Sequence, residues 1–525
     1  MPNRSTDALF LLIQSLERSE KRNFKLFVTR NSGSSDLKII QLFDALDKMD
    51  GYDEDLLFKK NPTIQKQQLS NLKAHLYREL LASLRLLKQN DNIDIQIHEQ
   101  LDFARILYNK GLYHQSLKVL DKIKELSKAN NQVTYTLQAL FLEKNIEGLH
   151  ITRSMQDRAE SLAAEVVETN CRLNMIGVLS NLSLQLYSWY IKNGLARNSK
   201  DKESLDILYN NGVLEASKDC KGFYERLYRY QCKSWYAFIT QDLIMYYRYC
   251  QKWVDLFHNE PKMIDVETAH YIKGLHNLMS AHFDLGNYQK FQETIQCFEK
   301  FSLTALVQQN HNNLIQVFVY IQIAKLNQHF MEGSFTEGLQ DVPLIEEKLK
   351  EYELYLDRHR ILVFYYKIAS LYFGSGDFDK SIDFLNKIIN WKVDLRTDLQ
   401  CYARLLHLIA HYELGNYDIL EYLLKSVYRF MYKMENLSTV EVAVFAFIRY
   451  SFKLTPKELK PAFEKLLVQL KELEHDRFET RAFMYLDIIS WLESKISSTP
   501  VQTVIRNKFL ETQKKVMSRT AQGAE

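Results

Sequence analysis

The sequence predicts an all-α chain: a tandem array of about nine helical hairpins behind a helical N-terminal cap region. Three observations predict it. An aromatic-x-x-Gly-x-aromatic pattern recurs at Tyr108–Gly111–Tyr113, Phe283–Gly286–Tyr288, Phe330–Gly333–Phe335, Phe373–Gly376–Phe378 and Tyr412–Gly415–Tyr417. The chain has 31 Tyr, 29 Phe and 16 Gly in 525 residues. Chance would supply such a match roughly 0.2 times at this length, and recurrence at a near-fixed period marks a repeat architecture. Seven Pro and 16 Gly are few against ordinary usage of about 5% and 7%, so turns are sparse and helices long. An apolar fraction of 46% with 12% aromatics is enough for a continuous core between stacked hairpins.

The turn explains its own residues. A helix commonly ends on a residue in the left-handed conformation, which Gly adopts without a Cβ clash. The aromatic before Gly closes the first helix, the one after it opens the second, and the two can pack across the hairpin. Three residues further on, Ser116, Gly338 and Ser381 are small enough for close helix approach, whereas Phe291 and Leu420 predict more open hairpins. Successive turn glycines are 175, 47, 43 and 39 residues apart. The first gap is about four repeat lengths, so it hides degenerate copies; Ser154, Gly194 and Thr240 are the candidates, and Lys453–Pro456 closes the series.

The segment Tyr108-Asn109-Lys110-Gly111-Leu112-Tyr113-His114-Gln115-Ser116 resembles the centre of a tetratricopeptide (TPR) repeat, as do the other four turns. The resemblance covers about residues 96–455 and departs from the family in one respect: the usual unit is 34 residues, and these spacings are longer. In that it is similar to the helical-repeat regions of some bacterial signal-responsive regulators. The resemblance implies a right-handed α-α superhelix, a TPR-like solenoid, whose first helices line a concave groove. Nine and six residues before each turn Gly, the groove positions are Asp102 and Arg105, Asn277 and Ser280, Ala324 and Asn327, Lys367 and Ser370, Leu406 and Ile409. The family's carboxylate clamp uses a recurring Asn at the earlier position, and only Asn277 fits.

Taken in order, residues 1–90 lack the turn pattern and form the cap region. Ser5-Thr6-Asp7 caps a first helix to about Arg18, Ser19 a second over 20–30, and Asn31–Ser35 is a loop. Asp36 starts a third helix that Gly51 ends, a short helix covers 53–59, and Pro62 opens a long one to Lys88. The third and fourth have a helix-turn-helix outline, but Asp53-Glu54-Asp55 would repel phosphates at the start of a recognition helix. Arg18, Lys21, Arg22, Lys25 and Arg30 are interleaved with Glu17 and Glu20, which reads as a solvated face. Residues 91–455 carry the repeats, with Arg197–Glu203 an exposed charged loop and a break in the array. Residues 456–525 are capping helices, near 462–474, 477–497 and 501–517.

Net charge is +3, which makes nucleic acid an unlikely partner by balance. Six cysteines without a CxxC pair read as mainly buried thiols in a reducing compartment. No apolar run approaches the ~20 residues of a membrane helix, so the expected location is cytoplasmic. Gly374-Ser375-Gly376 is glycine-rich but lies between helices, not after a strand, so it is a turn and not a phosphate loop. His407 and His411 share a helix face at metal-ligand spacing, yet lack a third ligand, and read as a helix-contact pair. No catalytic constellation, cofactor or metal is expected. The expected function is a non-catalytic scaffold or adaptor that binds a protein or peptide through Asp102, Arg105, Asn277, Ser280, Asn327, Lys367 and Ser370. The alternative is a signal-responsive regulator whose N-terminal region contacts nucleic acid or an effector protein. Either terminal cap offers a surface for a homodimer.

Overall fold

The computed structural model describes residues 7–30, 36–87, 92–150, 157–210, 212–391, 396–474, 476, 478–479, 482–483 and 486–522. Among them the regular structure is entirely helical. Two compact units divide the chain, Met1–Thr169 and Asn170–Glu525.

Unit 1 begins with α1 (Ala8–Gln14), α2 (Arg18–Arg30), α3 (Asp36–Asp47), α4 (Glu54–Lys60) and α5 (Lys66–Leu87). Asp7 caps α1 by accepting the amides of Leu9 and Phe10. The helix stops at Gln14, four residues short of the expected end, with Ser15 as its C-cap and α2 opening at Arg18. Asp53 caps α4 by accepting the amides of Asp55 and Leu56, so the acidic run is a helix start in its own right. The long helix begins at Lys66, beyond Pro62. Leu9 to Leu80 share one small core. Lys21 pairs with Asp47 and Lys25 with Asp44, each at 2.6 Å, so two of the five basic residues here are matched by carboxylates. The expected loop 31–35 and the candidate turn at Ser154 lie outside the described residues.

After these come α6 (Ile93–Asn109), α7 (Tyr113–Ala129), α8 (Val133–Leu149) and α9 (Arg158–Asn193), and the division between units falls inside α9. A second core joins α6, α7 and α8 through Ile97, Leu101, Leu120, Ala139 and Ile146.

Unit 2 continues with α10 (Ser199–Tyr209), α11 (Val213–Ala216), α12 (Phe223–Ile239), α13 (Leu243–Asn259), α14 (Lys262–Val266), α15 (Thr268–Asp284), α16 (Tyr288–Ser302), α17 (Ala305–Gln308) and α18 (His311–Glu332). Then follow α19 (Phe335–Gly338), α20 (Val342–Glu351), α21 (Arg358–Ser375), α22 (Phe378–Ile389), α23 (Thr397–Glu413), α24 (Tyr417–Lys433), α25 (Thr439–Ser451), α26 (Pro456–Leu473), α27 (Ile488–Ser497) and α28 (Val501–Gln522). Arg197–Glu203 is not the exposed loop that its charge predicts. Asn198 accepts the Asp201 amide at 3.0 Å and starts α10, while Arg197 pairs with Asp201 and donates to the Met434 carbonyl. The last segment also differs: α26 starts at Pro456 behind a Thr455–Glu458 capping box and carries Pro461 inside its body.

All five turn glycines have positive φ, from 66° at Gly286 to 91° at Gly376. Each turn carries the same closing bond, from the amide after Gly back to a carbonyl five residues earlier: Leu112 to Leu107, Asn287 to His282, Ser334 to His329, Asp377 to Tyr372 and Asn416 to His411. That is the Schellman closure of a helix C-terminus. Four aromatic pairs meet across their turns, with ring centroids 5.2 Å apart at Phe373–Phe378 and 5.9 Å at Tyr108–Tyr113. The fifth is different: Phe283 meets Phe291, and Tyr288 turns instead to Glu332 and Phe509. The small residues do what close packing needs. Ser116 donates to the Ala104 carbonyl and Ser381 to the Ala369 carbonyl, both fully buried.

Helix position decides burial. Outer helices bury one stripe, such as Phe291, Ile295 and Phe298 on α16 or Leu420, Leu424, Val427 and Met431 on α24. Helix α23 is covered nearly all round, with Leu405, Leu406, Leu408 and Ile409 all inside, as expected of a helix with neighbours on both faces. The groove positions Ala324, Leu406 and Ile409 are therefore core residues.

Candidate functional site

Three adjacent helices of unit 2 build the site. Helix α15 packs against α18, and α18 against α21. Each turns one face, at spacings of three and four residues, into a cavity of about 500 Å³. From α15 come Lys273, His276, Asn277, Ser280 and Asp284; from α18 Tyr320, Ile323, Asn327 and Phe330; from α21 Arg360, Val363, Lys367 and Ser370. Trp235 and Phe238 of α12 and Tyr187 and Tyr190 of α9 form another wall, and Val501 and Ile505 of α28 also line it.

Five of the seven groove residues read from the sequence, Asn277, Ser280, Asn327, Lys367 and Ser370, thus line one cavity. Asp102 and Arg105 do not belong to it. They are exposed on α6, in unit 1.

Lys367 is the central cation. Its Nζ donates to the Asn327 side-chain carbonyl at 2.6 Å and lies 5.3 Å from the Phe330 ring centre and 5.7 Å from that of Phe283. Burial pulls its pKa down to about 8, partly opposed by the Asp284 carboxylate. Asp284 in turn is pushed up to about 7 by burial, against the pull of Lys367.

A second cluster surrounds Tyr320. His276 stacks on its ring at 3.9 Å between centres. Lys273 Nζ is 5.2 Å from the same ring and 5.7 Å from that of Trp235, while the Arg360 guanidinium is 5.7 Å away. Burial holds His276 well below the usual imidazole range, and Lys273, Arg360 and Lys367 push it the same way. It is neutral at pH 7.

One wall is closed by an ion pair. Arg396 has φ 50°, a left-handed backbone that a side chain disfavours. It is held there by a buried bond to Asp398, 2.9 Å from Nε to Oδ1, with the guanidinium 4.8 Å from the Tyr190 ring. Burial and the Arg396 charge lower the neighbouring His359 to about 3.

The His407–His411 pair is placed elsewhere. The rings lie edge to face at 4.5 Å, and Glu413 bonds Trp491 Nε1 at 2.7 Å and also Lys495. Among the described residues no group of three His, Cys, Asp or Glu side chains is placed to hold a metal ion. Gly374 lies inside α21, where a Cβ would run into the Phe335 ring. Cys232, Cys250 and Cys401 are buried, whereas Cys171 and Cys297 are exposed and Cys220 is half-buried. No helix among the described residues is long and apolar enough to cross a membrane.

Lys273, His276, Tyr320 and Arg360 were not among the sequence candidates. A signal did exist: Lys273 lies one helical turn before Asn277, and Arg360 two turns before Lys367, on the same faces. No family model matches the chain, nor does any curated protein or solved structure.

Proposed function

We propose that the chain is a non-catalytic, ligand-responsive binding protein, built as a TPR-like right-handed superhelix with an internal ligand cavity in unit 2. Occupation of the cavity would shift α15, α18 and α21 relative to one another and so alter the surface offered to an effector protein. The observation that carries this reading is the convergence of Asn277, Ser280, Asn327, Lys367 and Ser370 on one cavity of about 500 Å³, within the range of small-ligand sites. A protein effector is favoured over nucleic acid because Lys21 and Lys25 in the N-terminal region already pair with Asp47 and Asp44. The test is a thermal-shift screen of small molecules on the full chain, followed by hydrogen–deuterium exchange with each hit. Hits should protect α15, α18 and α21 and should be lost in Asn327→Leu. Protection confined to other helices rejects the reading.

The scaffold or adaptor reading has its own support. Helix α24 leaves Tyr417, Tyr422 and Tyr432 at 60%, 74% and 71% exposure, and tyrosine is enriched where proteins dock. Affinity capture with Tyr422→Ser/Tyr432→Ser discriminates it: retention of every partner at the wild-type level removes that face from consideration.

A further inference from the structure

The cavity's charges are not balanced by its own walls. Arg396 is matched by Asp398, and Asp487 is engaged as the N-cap of α27, accepting the Ser490 amide at 2.9 Å. Of the remaining cations, Arg360 has a carboxylate at 3.8 Å, that of Asp357. Lys273 has none within ion-pair distance among the described residues, and Lys367 is bonded to a neutral amide. The other carboxylate of the lining is Asp284, whose charge acts on Lys367 and which forms no hydrogen bond or ion pair within contact distance among the described residues. The three cationic side chains are half-buried in the cavity wall, and an anion seated beside them would form charge-assisted contacts that the walls do not supply.

The cations are also aimed. Lys273 and Arg360 both lie over Tyr320, and Lys367 lies over Phe283 and Phe330. The rings hold the charged groups inside the cavity, where cation–π contact favours them without neutralising them. Beside them Trp235 and Phe283 supply flat apolar wall.

We propose that the cavity is a site for a small organic anion: a carboxylate or phosphate seated beside Lys273, Arg360 and Lys367, carrying a planar aromatic body against Trp235 and Phe283. This rests on the reading of the cavity as the ligand site. A cationic ligand would meet three like charges. A neutral one would leave the half-buried Lys273 without a counter-charge.

The test is titration calorimetry on the full chain with indole-3-acetate, its neutral analogue indole-3-acetamide, phenyl phosphate, and an N-acetylated, C-amidated tryptophan–aspartate dipeptide. Either free anion should bind, and the amide should bind about ten-fold or more weakly than the acid, the worth of a charge-assisted contact. Lys273→Met should bring the acid down to the amide's level, while the exposed Lys350→Met on α20 leaves it unchanged. Melting temperatures of both variants check that they fold. Equal binding of acid and amide overturns the proposal, and so does binding by the dipeptide alone, which would place the anion on a protein. The two failures separate. If acid and amide bind equally and Ser280→Trp abolishes both, the ligand cavity stands and the anion falls. If no probe binds and the small-molecule screen yields no hit protecting α15, α18 and α21, both fall.

Discussion

Lys367 Nζ donates a 2.6 Å hydrogen bond to the side-chain carbonyl of Asn327, 40 residues away in sequence. The bond links α18 to α21, from the residue nine before Gly376 to the residue six before Gly333. It also fixes an ammonium where water is scarce, and this gives the protein a pH signature.

Two groups set that signature with opposite signs. Asp284 is raised from 3.8 to about 7 in the folded chain, so folding takes up a proton between those values. Stability from this group is highest at low pH and falls as the pH rises through that window. Lys367 is lowered from 10.5 to about 8, so folding releases a proton between those values, and its contribution recovers as the pH rises through them. Thermal melting against pH should show a decline from about pH 4 to 7 that Asp284→Asn removes. It should show a rise above about pH 8 that Lys367→Met removes. Unchanged profiles in both variants would mean that neither group is desolvated.

The turn residues make a signed set. Gly376→Ala places a Cβ at φ 91° with nothing within 4 Å, so it should lose only the left-handed strain, roughly 1–2 kcal/mol. Gly333→Ala should lose more, because its Cβ would lie 2.4 Å from the Arg506 backbone nitrogen and would lever α28 away. Faster hydrogen exchange in α28 is the readout. Glu435 is an exposed side chain at φ 51°, so Glu435→Gly should raise stability by up to about 1 kcal/mol in denaturant titration.

The Arg396–Asp398 pair should behave as a buried ion pair. Arg396→Met leaves the Asp398 carboxylate, 1% exposed, without its cation and should cost about 3–5 kcal/mol. Arg396→Met/Asp398→Leu should recover most of it. A double variant no more stable than the single one would show that the left-handed backbone at 396, not the charge, is what the pair secures.

Tyr422→Ser/Tyr432→Ser removes exposed rings and should move stability by no more than about 0.5 kcal/mol per site. A large loss would place these tyrosines in packing and take away the reason to treat α24 as a docking face.

What the sequence could disclose follows from which residue fills the left-handed position. Gly fills it at 111, 286, 333, 376 and 415, and these turns are visible as a pattern. Asn131, Gln241 and Glu435 fill it elsewhere, at φ 58°, 60° and 51°, with the same closing bonds at Gln132, Asp242 and Asn436. There the same closing bond forms around a residue with a side chain, so a search for glycine misses it; Thr240, one residue before Gln241, was as near as sequence came. The same holds for the cavity. Asn277, Ser280, Asn327, Lys367 and Ser370 stand at fixed offsets from a glycine, so counting finds them. Tyr187 stands seven residues before Gly194 and so misses both offsets, Trp235 precedes a turn whose left-handed residue is Gln241, and Val501 and Ile505 come from a helix far along the chain. Asp102 and Arg105 have the right offset too, but the spacing carries no information on which repeats share a unit.

Helix α28 reaches Gly333 so closely that backbone meets backbone, with Thr336 bonded to Gln502 at 2.8 Å across 166 residues. During synthesis, then, the hairpin around Gly333 emerges long before the helix that covers it. Its edge at Gly333 and Thr336, which α28 covers, stays open while the intervening helices are made. Completion of the cavity is thus one of the last events in the chain's biogenesis, and a nascent chain stalled before Val501 would carry an open one.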